Sequence, residues 1–254
     1  MSTVLLLIAH FLGDFIFQSS KLAKNKLEST KLFIIHCVIY SVVILAALIS
    51  FGPIQSSLLA FLIIVITHAA VDYGRIYFSE KYRKKLVDSK SLDFGLFIID
   101  QILHIAIILY CGYLVTDISS IGNFIKDNCL RIFNWNQCQN AIVYILLYII
   151  CLSPSAVFIK KVFILFSIQS EGTTENKEEL LNSGYLIGIL ERIIILTLGL
   201  NGQLGAIGFV MAAKSLARFK QLEEKSFAEK YLVGTLMSVA IALFCITFGR
   251  MLLV

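Results

Sequence analysis

The chain has 254 residues, of which 58% are hydrophobic and 15% charged, with a mean hydropathy of +0.84. A water-soluble domain is nearer a quarter charged, so a soluble globular fold is excluded, and long apolar runs without alternating ten-residue segments exclude a β-barrel. The net charge of +5 is scattered over several loops that carry no nucleic-acid-binding motif, so no nucleic-acid partner is expected and attraction to anionic membrane lipid is.

The first predicted element covers residues 3–19. It is apolar but contains His10, Asp14 and Gln18 within "AHFLGDFIFQ". Spaced four apart, these fall on one face of a helix, each pair about 6 Å apart along the axis. No basic residue precedes Leu5 and no small-residue cleavage site follows, so the segment reads as a membrane helix and not a signal peptide. Further predicted spans are 32–50, 56–77, 94–115, 140–160, 184–200, 203–219 and 230–252. Several reach the roughly 20 residues needed to cross a bilayer core of about 30 Å. Gly52-Pro53 marks a tight turn, Pro154 a kink, and "EGTTENKEEL" (171–180) a polar surface loop. The span at 203–219 is short and holds Lys214 and Arg218, which suits a tilted or re-entrant segment.

The expected fold is an all-α, polytopic transmembrane bundle of about seven to eight helices. It divides into an N-terminal four-helix part (1–115), a middle part with an outer loop, fifth helix and polar loop (116–183), and a C-terminal membrane part (184–254). Lys and Arg alternate between loops. Residues 20–31 hold Lys21, Lys24, Lys26 and Lys31, and residues 75–93 hold Arg75, Lys81, Arg83, Lys84, Lys85 and Lys90. The 51–55 turn has none. Rich loops face the cytoplasm by the positive-inside rule, with both termini outside. Cys37, Cys111, Cys151 and Cys245 lie in apolar runs as small hydrophobes, whereas Cys129 and Cys138 share the outer loop and are able to form a disulfide there.

On this topology the polar membrane residues share one depth. His10 and Asp14 lie in the inner half of the first helix, His36 just over a turn into the second, His68, Asp72 and Arg75 at successive turns of "THAAVDYGR", and Asp100 and His104 on one face of "IIDQILH". All four histidines of the chain belong to this layer. A His and an Asp four apart on a helix present nitrogen and oxygen to one point, as metal-binding helices do. His10, Asp14, His36, His68, Asp72 and His104 are thus candidate ligands of one divalent ion, or two. Without a thiolate, Zn²⁺, Mn²⁺, Fe²⁺ and Mg²⁺ all suit. The competing structural reading is that these residues clasp helices through hydrogen bonds worth roughly 0.6–2 kcal/mol each. A second set lies in the C-terminal part. Glu191 and Arg192 sit inside an apolar run, and Lys214 and Arg218 share a face. Arg192, Lys214 and Arg218 are candidate contacts for a phosphate, and a pairing of Glu191 with Lys214 or Arg218 is expected. For Lys214 and Arg218 the alternative is snorkelling to the interface.

"HFLGDFIFQ" (10–18), "HAAVD" (68–72), "DQILH" (100–104), "YLIGILERIIILTLGLNGQLGAIGFVMAAKSLARF" (185–219) and "YLVGTLMS" (231–238) resemble a bacterial polytopic membrane-protein family known only as a domain of unknown function. The resemblance implies the fold and the membrane location without naming a reaction. The His/Asp-bearing half is also loosely similar to bacterial membrane-bound metal-dependent hydrolases. Lys230 stands after Glu229 where the family pattern leads one to expect an aromatic residue.

Three functions fit. The first is a metal-dependent hydrolase or transferase on a phosphorylated or lipid-linked substrate, with Asp100 or Glu191 as general base. The second is a transporter or channel with a proton- or ion-coupled polar site. The third is a membrane effector whose polar layer is purely structural and whose basic loops dock a partner, with oligomerisation open in each case.

Overall fold

In the computed structural model, residues 1–18, 22, 29–51, 53–82, 89–115, 135–166 and 174–253 are described. These residues are helical with no strand among them. Helix α1 (Ser2–Phe11) runs on as a π-helical segment, Leu12–Ile16. It is followed by α2 (Thr30–Phe51), α3 (Ile54–Lys81), α4 (Lys90–Leu114), α5 (Trp135–Leu152), α6 (Pro154–Leu165), α7 (Thr174–Leu200), α8 (Leu204–Ala217) and α9 (Lys225–Leu252), with a short 3₁₀ turn at Phe219–Glu223. Five stretches, Thr30–Ser50, Gln55–Lys81, Lys90–Leu114, Asn136–Leu165 and Lys225–Leu252, are long and apolar enough to cross a membrane. Ser2–Ile16 and Leu204–Ala217 are shorter apolar helices. The protein is membrane-embedded.

The chain divides into two compact units, Met1–Leu146 and Leu147–Leu253. In the first, α1 packs against α2 and α4, and α3 against the same two, so the four helices close an antiparallel ring. Each contributes one buried stripe at near-four-residue spacing: Leu6, His10 and Asp14 on α1; His36, Tyr40, Ile44 and Leu48 on α2; Ala60, Ile64, His68 and Asp72 on α3; Asp100, His104, Ile108 and Cys111 on α4. Every stripe is apolar at one end and ionisable at the other, and the four polar ends adjoin the same end of the bundle. The apolar ends form one cluster of Leu6, Ala9, Tyr40, Ile44, Leu48, Ala60, Ile64, Ile108, Cys111 and Val115. Lipid tails are as apolar as leucine, so close packing holds these helices and water exclusion does not. The packing is visible at Gly112, where an added Cβ would collide with Thr3 of α1. Beside it the Ser2 hydroxyl donates to Val115 O (2.7 Å). Outward faces carry Ile34, Val38, Val42, Leu58, Leu62 and Ile66, as a lipid-facing surface does.

In the second unit α7 packs along α9, and α6 and α8 lie against this pair or one member of it. Gly199 and Gly249 let Ile246 and Leu147 approach the backbone closely.

Four expectations change in detail. The 140–160 span is two helices, because Pro154 has no N–H to extend the ladder and instead starts α6 at its first turn. The stretch 171–180 was expected to be a loop, but from Thr174 it belongs to α7; its Glu, Lys and Leu residues are strong helix formers. Helices α3 and α4 extend past their apolar runs to Lys81 and Lys90. Finally, Gln18 lies beyond the helix end. Phe17 N–H closes the π-segment on Leu12 O (2.8 Å), so the helical stripe stops at Asp14. Cys129 lies outside the described residues, and with it the disulfide expected with Cys138, as do the loop residues 19–21, 23–28, 83–88 and 116–134.

Candidate metal centre

The polar ends of α1–α4 converge. His10, Asp14, His36, His68, Asp72, Asp100 and His104 are all 0–9% exposed. At the centre, His36 Nε2 and His68 Nε2 face each other at 3.2 Å. Asp72 Oδ2 lies 3.1 Å from the first and 3.8 Å from the second. Asp14 Oδ1 approaches the same two nitrogens at 3.3 and 3.7 Å. Lone pairs of neutral imidazoles and carboxylates pointing into one dry space repel one another unless a proton or a cation sits among them. A metal bonded at about 2.1 Å in tetrahedral geometry separates its ligands by about 3.4 Å, which the His36–His68–Asp72 triangle brackets. Three protein ligands leave a fourth position open, the pattern of catalytic zinc sites.

Around this triangle stand two overlapping sets. His10, Asp14 and His68 offer donors within 4.8 Å of one another, and so do Asp72, Asp100 and His104. His10 Nδ1 meets the Tyr40 hydroxyl at 3.2 Å and Asp14 Oδ2 at 3.9 Å. The Tyr40 ring stacks flat on His68, with centroids 3.6 Å apart. Gly13 makes room for Tyr40, since a Cβ there would lie 2.8 Å from Cδ2 of that ring. Asp100 Oδ2 accepts from Arg75 (3.1 Å) and from Gln101 Nε2 (3.0 Å), and Arg75 also lies over the Phe97 ring. Among the described residues, His10 Nε2, His68 Nδ1, Asp100 Oδ1 and both ring nitrogens of His104 have no hydrogen-bond partner. Each such buried group costs about 1–3 kcal/mol unless an ion or water takes it up.

All six expected ligands and Asp100 therefore share one cluster. Tyr40, Arg75 and Gln101 belong to it as well. Arg75 and Gln101 stand within the quoted motifs, whereas Tyr40 carried no signal beyond its four-residue offset from His36.

The C-terminal set belongs to the second unit. Lys214 Nζ donates to Glu191 Oε2 (2.6 Å) and to Thr235 Oγ1 (2.9 Å), the pairing expected, and lies over the Tyr231 ring. Arg218 lies over the Phe227 ring. Arg192 is buried and caps the end of α5: its Nε donates to Cys151 O (2.8 Å), NH2 to Leu152 O (3.5 Å) and NH1 to Ser238 Oγ (3.4 Å). These are carbonyls that a helix end leaves without partners, and a cation suits the negative end of the helix dipole.

A family model described as "Protein of unknown function (DUF3307)" matches residues 3–131. The chain belongs to the DUF3307 family. No curated protein and no solved structure matches the chain. The DUF3307 match covers the four-helix ring with every residue of the His/Asp cluster and ends before Glu191, Arg192, Lys214 and Arg218.

Proposed function

We propose that this DUF3307 protein is a membrane-bound, metal-dependent hydrolase or transferase that acts on a phosphorylated or lipid-linked substrate from the cytoplasmic leaflet of the bacterial inner membrane. The observation that carries the reading is the His36 Nε2–His68 Nε2–Asp72 Oδ2 triangle, with Asp14 beside it, buried next to His10 Nε2, Asp100 Oδ1 and the His104 ring nitrogens, which have no hydrogen-bond partner among the described residues. A divalent ion held by His36, His68 and Asp72 would supply Lewis acidity toward a phosphoryl or carbonyl oxygen and activate water as a nucleophile at neutral pH. Zn²⁺, Fe²⁺ and Mn²⁺ suit the mixed nitrogen and oxygen donors. Asp14 and Tyr40 hold His10, His36 and His68 in place. Arg75, a quarter exposed at the edge of the cluster, meets the negative charge of the substrate.

Two features favour an enzyme over a channel. The polar atoms crowd one end of the ring, and the ten-residue apolar cluster fills the other. That end is the one from which the Lys- and Arg-rich segments depart, where anionic headgroups gather.

The test uses purified full-length protein in detergent with p-nitrophenyl phosphate and bis-p-nitrophenyl phosphate. Turnover should appear with Zn²⁺ or Mn²⁺, vanish with EDTA, and be lost in His68→Ala and Asp72→Asn proteins that keep their helical circular dichroism. Turnover that persists through chelation and both substitutions would overturn the proposal, and so would its absence with every divalent ion.

A further inference from the structure

The triangle does not use His104 or Asp100. His104 is 2% exposed, and neither of its ring nitrogens has a hydrogen-bond partner among the described residues. A neutral imidazole carries one donor and one acceptor, and burying both unmet is costly. Asp100 is similarly divided: Oδ2 accepts from Arg75 and Gln101, whereas Oδ1, 3.9 Å from His104 Nδ1, has no partner among the described residues. Asp72 completes the set, with donor atoms of all three residues within 4.8 Å of one another.

We infer that Asp72, Asp100 and His104 form a second divalent-cation site that shares Asp72 with the first, so that the cluster is a dinuclear centre. The inference rests on the reading that the His36–His68–Asp72 triangle binds a metal. The alternative second set, His10–Asp14–His68, shares an imidazole with the triangle instead. A carboxylate has two oxygens and bridges two cations with one each, whereas the Nε2 of His68 serves only one. His10 Nδ1 is moreover engaged by Tyr40, which leaves His10 one ring nitrogen without a hydrogen-bond partner among the described residues, whereas His104 leaves both.

Charge sets the order of filling. Three carboxylates and Arg75 carry two net negative charges, which one divalent ion cancels. A second ion arrives without that balance and competes with the Arg75 guanidinium for Asp100. It therefore binds more weakly than the first, and an anionic phosphoester supplies the missing charge. Two divalent ions held there would stabilise both the attacking and the leaving oxygen of a phosphoester, the substrate whose charge favours filling of the second site.

The experiment is a titration of metal-stripped, full-length protein in detergent with Mn²⁺, followed by calorimetry and electron paramagnetic resonance. Wild type should take up two equivalents, the second at least tenfold weaker, and the filled protein should give an exchange-coupled two-manganese spectrum. His104→Gln and Asp100→Asn should bind one equivalent and give the six-line spectrum of isolated Mn²⁺. Arg75→Gln should tighten the second site by about tenfold, the low end of what a partner of a ligand contributes. Saturation of wild type at one equivalent would overturn the second site and leave the first standing; uptake of none would remove both. Two equivalents retained in His104→Gln, or two that show no exchange coupling, would equally defeat the shared site.

Discussion

Tyr40 is the side chain that ties the cluster to the apolar core. Its ring lies flat on His68 and its hydroxyl meets His10, so one residue fixes two imidazoles on different helices. That position depends on Gly13, whose missing side chain is the space that Cδ2 of Tyr40 occupies. In a Gly13→Ala protein the ring has to tilt and His68 turns with it. Divalent-metal affinity should fall about tenfold, as when a group that orients a ligand is lost, while the melting temperature in detergent changes little. Equal affinity in the two proteins would mean that Tyr40 does not position His68. The sequence motif gives Gly13 within "HFLGDF", but the partner that needs it lies on another helix in an ordinary apolar run, so neither side of the contact identifies the other in one dimension.

At the scale of elements, the break between α5 and α6 shows how an intramembrane charge is put to structural use. Pro154 ends the hydrogen-bond ladder, and Cys151 O and Leu152 O are taken by Arg192. Arg192→Ala should destabilise the protein by roughly 2–4 kcal/mol, because bonds from a charged donor contribute about 1.5–3 kcal/mol each and, among the described residues, only Cys151 O keeps another donor, the Ser155 hydroxyl (2.8 Å). Arg192→Lys, a point charge without the planar fork, should recover less than half of the loss. Denaturant unfolding in mixed micelles measures both; a cost under about 0.5 kcal/mol for the alanine protein would be that of an ordinary surface position. The helices themselves were legible: their apolar runs and Pro154 locate most of them. Their ends were less so, since residues such as Glu175, Lys177 and Lys90 are good helix formers outside the bilayer as well as polar. Arg192 was legible as a buried charge, but its partners are main-chain carbonyls, which every residue has.

At the scale of the whole molecule, the arrangement of polar residues follows from a simple constraint. An ionisable group in a bilayer needs a partner, and for the His/Asp cluster the partners are other ionisable groups on neighbouring helices. Four-residue spacing within a helix, together with the alternation of basic loops, was enough to place His10, His36, His68 and His104 in one layer. It was not enough to rank them. The triangle at the centre draws His36 from α2 and both His68 and Asp72 from α3, and those contacts depend on how the helices pack side by side.

X-ray absorption at the metal edge tests this centre most directly, on protein purified without added metal and then given one equivalent of Zn²⁺. The expected spectrum has nitrogen and oxygen neighbours at about 2.0–2.1 Å, two of them with the outer-shell scattering of imidazole, and it collapses toward that of hydrated zinc in a His36→Ala/His68→Ala protein. A folded wild type that leaves the ion hydrated, or a double variant with an unchanged spectrum, would contradict the account.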